Sequence, residues 1–101
     1  MQFLEPWMPA PNAKQLESEL ASEVGARHLL KGQKMQAVAV RQDCDDVLFV
    51  GIENPQLVAV VHLTYANRPE SDPCWPATTL FSSIEEWARL SMAPDNEDFI
   101  S

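Results

Sequence analysis

Asp43, Asp45 and Asp46, together with His62, are the residue types in this chain whose placement suggests chemistry. Carboxylates beside an imidazole can hold a divalent cation or share acid–base work. Their spacing follows neither H-E-x-x-H nor the calcium loop with its glycine. Aspartates in a polar turn more often cap turn amides. A histidine on a strand more often bonds a carbonyl or a carboxylate. His62 and Thr64 interrupt an apolar strand, and polar groups on such a strand need partners. With Arg41, Tyr65 and Trp75 they outline a candidate small-ligand pocket. The plainer reading is a hydrogen-bonded sheet edge. Cys44 stands between Asp43 and Asp45, whose charges raise a thiol pKa, so pairing with His28 or His62 does not make it an activated nucleophile. No G-x-S-x-G, G-x-x-x-x-G-K or G-x-G-x-x-G occurs, and the glycines are Gly25, Gly32 and Gly51 alone. Nucleotide chemistry is therefore not expected, and no cofactor is implied.

The elements that must position these groups come from a chain of 101 residues, enough for one core. Apolar residues make up 46%, too many for disorder, and the formal net charge is -8. That charge repels nucleic acid and anionic lipid, and it favours solubility or a basic partner. No apolar run reaches the ~18 residues of a membrane helix. Met1 to Pro11 has no basic-then-apolar leader, so a cytoplasmic protein is expected. Cys44 and Cys74 lack C-x-x-C spacing and are expected as free thiols, with no metal site.

Residues 1–11 form a proline-rich arm with Pro6, Pro9 and Pro11 around Trp7 and Met8. Phe3, Trp7 and Met8 are costly to leave in water. They should lie on the domain or on a second copy, and are candidate interface residues. Residues 12–94 read as the domain, and 95–101 as an acidic tail with Phe99 and Ile100. Asn12 should cap a helix by accepting from the Gln15 amide. Leu16, Leu20 and Val24 form its apolar stripe, and it should end between Gly25 and Leu30. Strands are expected at Met35–Arg41, at Val47–Ile52 and, as the longest, at Leu57–Tyr65. Thr78–Phe81 reads as a short fourth strand. Ser83-Ile84-Glu85-Glu86 is a capping box for a last helix, with Ile84, Trp87 and Ala88 buried and Pro94 ending it.

Short connections make the sheet an antiparallel meander. The expected fold is therefore α+β: a three- to four-stranded sheet between an N-terminal and a C-terminal helix. A four-residue hairpin loop, Glu53 to Gln56, would set Ile52 opposite Leu57 and bring Asp45 diagonally to His62. Met35, Ala37 and Ala39 would then share one face. Both faces are apolar, so the second needs the arm, a loop or another subunit.

Gln42 to Phe49, Val58 to Tyr65, Asp72 to Pro76 and Ser83 to Trp87 together resemble a family of short standalone bacterial proteins of unknown function. The resemblance spans about residues 25–96, with Tyr65 and Cys74 departing from the pattern. It implies a compact helix-flanked domain and carries no activity. The expected function is a non-catalytic protein-interaction or self-associating module, as a homodimer or with a basic partner as immunity proteins have. The alternative is a small metal-assisted hydrolase or ligand binder using Asp45, Asp46 and His62.

Overall fold

The apolar stripe closes as helix α1, Ala13–Glu23, with Leu16 and Leu20 buried. The structure is a computed structural model and describes residues 2–66 and 68–101. Asn12 precedes the helix, but its side chain bonds the Gln15 side chain (3.4 Å) and caps no amide. The helix stops earlier than the glycine suggests, because Val24 is already extended. Gly25 is then held against backbone: a Cβ there would collide with the Glu70 carbonyl oxygen.

Five strands follow the chain order in one antiparallel sheet: β1 (Trp7–Pro9), β2 (Met35–Arg41), β3 (Asp46–Gly51), β4 (Val58–His62) and β5 (Ala77–Phe81). The arm therefore supplies a strand where none was expected, with Trp7 opposite Arg41. Its prolines concealed the strand signal. Proline is tolerated on an edge, where one side of the backbone has no ladder to complete. β4 ends at His62 and is not the longest strand.

The β3–β4 register differs by one residue from expectation. Asp46 faces His62, Val47 faces Val61 and Phe49 faces Ala59. The cause is a longer loop. The Gly51 amide donates to the Leu57 carbonyl (2.8 Å), which leaves Ile52 outside the sheet and exposed. Gly51 permits this turn, since a Cβ there would strike the Asn54 carbonyl oxygen. A second irregularity lies in β2, where the register shifts between Ala37 and Ala39. This β-bulge sends Ala39 to the opposite face from Ala37.

Each face has its own core. On one, Met35, Ala37, Val47, Phe49, Ala59 and Val61 pack under Leu16, Leu20 and Val24 of α1 and under Leu30. On the other, Ala39, Leu48 and Val58 meet Trp7, Trp87 and Met92. The last two come from a C-terminal helical run: α2 (Ile84–Trp87), a π turn (Ala88–Met92) and α3 (Ala93–Ile100). Pro94 does not end this run, and residues 95–100 of the acidic tail are helical. In the widened turn the Ala93 amide bonds the Ala88 carbonyl, five residues back. Pro94 then sits in the first turn of α3, where its missing N–H is not needed.

The arm thus completes the second core within its own chain. Trp7 is 2% exposed and meets Trp87 edge-to-face at 5.1 Å, with Phe3 on Trp87 at 6.1 Å. Met8 is half-buried. The capping box forms as expected at one end. Ser83 Oγ accepts from the Glu86 amide (3.0 Å), and Glu86 Oε1 accepts from the Ser82 amide (2.9 Å), one residue before the box position. Ser83→Ala should cost about 1 kcal/mol of unfolding free energy, read from the urea midpoint at constant slope.

Candidate functional site

The ends of β2, β3 and β4 bring part of the expected constellation into one row. Val40 pairs with Val47 and Asp46 with His62, so Arg41, Asp46 and His62 are neighbours across three strands on the Trp87 face. His62 Nδ1 lies 2.8 Å from Asp46 Oδ1, both at the surface. The imidazole's carboxylate is thus Asp46 and not Asp45, a direct result of the register. Asp45 instead offers its carbonyl to the Leu63 amide (3.3 Å).

Arg41 is fixed from two sides. It donates through Nε and Nη2 to Asp43 at 2.8 Å each, and its Nη1 lies 3.4 Å from Asp95 Oδ2. Trp7 Nε1 donates to the same Asp95 oxygen (3.0 Å). The hydrogen bond from Arg41 holds the Asp43 carboxyl below its usual range, and that bond in turn raises Arg41. Burial, reinforced by the Asp46 and Asp43 charges, pushes the Cys44 thiol up, which disfavours the thiolate. This row is an open ledge. Among the described residues, no three His, Cys, Asp or Glu side chains gather to hold a metal ion.

Thr64 does not join it. Thr64 belongs to a separate clasp around Glu23, which is fully buried at the end of α1. Glu23 Oε1 accepts from the Thr64 amide (2.9 Å) and hydroxyl (3.0 Å), and Oε2 from the Tyr65 amide (2.8 Å). Its own carbonyl accepts from the Glu70 amide (3.0 Å). Tyr65 has φ of 57°, a left-handed conformation unfavourable for a bulky residue. The carboxylate holds it there. Glu23 was legible as an i+3 position on the Leu16–Leu20 stripe, although its charge argued for solvent.

His28 is the second buried polar group. The Leu30 amide donates to Nδ1 (3.0 Å), so the ring proton sits on Nε2 and is given to the Pro76 carbonyl (3.0 Å). This anchors the start of β5. Around it lies a groove of about 360 Å³ lined by His28, Leu29, Pro73, Cys74, Pro76, Ala77 and Thr78. A second groove, of about 470 Å³, runs between α1 and the Leu30–Met35 segment beside Ile52. Neither groove includes Arg41, Asp45, Asp46, His62 or Thr64.

The sheet's two edges differ. β1 spans three residues, ends in Pro9 and follows Pro6. β5 has an unbroken register on β4 and contains no charge, proline or bulge. Among the described residues, no strand pairs with its outer side. Leu80 on β5, Trp75 just before it and Leu29 beside the smaller groove are each about half exposed, at 48%, 46% and 54%. Among the described residues, no helix is long and apolar enough to cross a membrane. No family model, curated protein or solved structure matches the chain.

Proposed function

We propose that this chain is a non-catalytic protein-interaction module that accepts an extended segment as a sixth strand along β5. The open β5 edge is the observation that carries this reading. Unpaired strand edges are templates for another strand, and proteins normally blunt them with lysine, proline or bulges. Here β1 is blunted by proline, while β5 is left plain. Exposed Trp75 and Leu80 add apolar area beside the free backbone groups. The polar ledge of Arg41, Asp46 and His62 supports binding less well, because Arg41 is already held by Asp43 and Asp95, and His62 by Asp46.

A heptapeptide matching residues 76–82 is a suitable strand probe. Titrated into the protein, it should shift backbone amide resonances of β5 and of β4 beneath it. Leu80→Lys in the protein should weaken that binding by about tenfold, since an edge lysine opposes strand addition. Shifts confined to the Asp46–His62 ledge, or none at all, would sink the proposal.

A further inference from the structure

The geometry points to a second copy of this chain as the strand that β5 accepts, paired antiparallel about a two-fold axis through Thr79; this rests on the strand-addition reading above.

The β5 sequence, Ala-Thr-Thr-Leu-Phe, complements itself in that register. Thr79 faces Thr79 of the other copy, Thr78 faces Leu80, and Ala77 faces Phe81. Cross-strand Thr–Thr pairs are favourable, and no like charges oppose each other. The self-complementary register is what favours a second copy as the occupant. A chain of net charge -8 repels its own copy over most of its surface, and β5 is a segment without charge where two copies can approach.

The side chains fit as well. Thr78 and Leu80 face Val61 and Ala59, so both stand on the α1 side of the sheet. Thr78 also lines the groove of about 360 Å³ beside Leu29 and Cys74. Pairing Thr78 with Leu80 of the other copy delivers that exposed leucine to the mouth of this groove, and the two-fold repeats the contact. A five-residue edge alone is a small contact. The leucine in its groove adds apolar area to the strand pairing. Because the axis is perpendicular to the sheet, the product is a closed ten-stranded dimer.

Light scattering at low and high protein concentration should show a dimer that dissociates on dilution, and Leu80→Lys should weaken it by at least about tenfold. Register is tested by cysteine cross-linking in a chain carrying Cys44→Ser and Cys74→Ser. Directly opposed strand residues lie within disulfide reach, and residues two places out of register do not. Thr79→Cys should therefore form a covalent dimer under mild oxidation, and Thr78→Cys should not. Equal cross-linking of both, or a dimer indifferent to Leu80→Lys, overturns the proposed contact. A wild-type chain that stays monomeric while its β5 amides respond to the 76–82 peptide overturns self-pairing and leaves strand addition standing. A monomer that ignores the peptide overturns both.

Discussion

Glu23→Ala is expected to lower the unfolding free energy by about 3–5 kcal/mol, a large share of the roughly 5–15 kcal/mol typical of a domain. The carboxylate accepts three hydrogen bonds with no exposure to solvent. Removing it leaves the Thr64 and Tyr65 amides without their acceptor and Tyr65 without the contact that holds its left-handed backbone. Glu23→Gln should cost less, about 1–3 kcal/mol. Its amide oxygen can still take the Thr64 pair, but its NH₂ must then face the Tyr65 N–H. Urea titration gives the magnitude, and hydrogen exchange at Thr64 and Tyr65 gives the location. A loss below about 1 kcal/mol with the Tyr65 amide still protected would show that the clasp contributes little.

Trp7→Ala is expected to cost about 3–5 kcal/mol, by removing a buried indole from the second core. The loss includes the hydrogen bond to Asp95, through which the arm meets α3. A chain starting at Asn12 should lose at least as much, since Phe3 and the β1 pairing go with it. Trp87→Phe provides the contrast. Trp87 is fully buried, yet its Nε1 has no hydrogen-bond partner among the described residues. Phenylalanine loses volume and removes that unsatisfied donor, so its cost should stay near 1–2 kcal/mol. Calorimetric unfolding of the three variants tests the ranking. If Trp7→Ala melted like the wild type, the arm would not be part of the core.

These two expectations also mark what could be read in the residues. Hydropathy periodicity located α1, the three central strands and the last helix, because burial on one face sets each pattern. The two-sided apolar sheet correctly required a second cover, and the arm was one of the covers named. Register was harder. A one-residue difference in a hairpin loop depends on the Gly51–Asn54 contact, which no local pattern encodes, and it exchanged Asp45 for Asp46 beside His62. The bulge in β2 moved Ala39 between faces for a similar reason. Pro94 misled because proline stops an α-helix but not one already widened by a π turn. Among the site residues, Arg41, Asp46 and His62 were placed together by strand order, which the pattern gave. Thr64 and Trp75 depend on the segment between β4 and β5, whose path is set by Glu23 and His28. Both are buried polar groups, and hydropathy assigns such residues to the surface.

The short proline-bearing strand at the opposite margin of the sheet has one more consequence. A protein with two adhesive margins would string its copies into an endless ribbon, as amyloid does. Pro9, with Pro6 just ahead of it, makes β1 a terminator, so sheet growth beyond the β5 side has nowhere to continue. A leucine-bearing, uncharged strand can then remain open on one side without committing the protein to fibre formation, and a substitution that restored N–H groups along β1 would be the change to watch for insolubility.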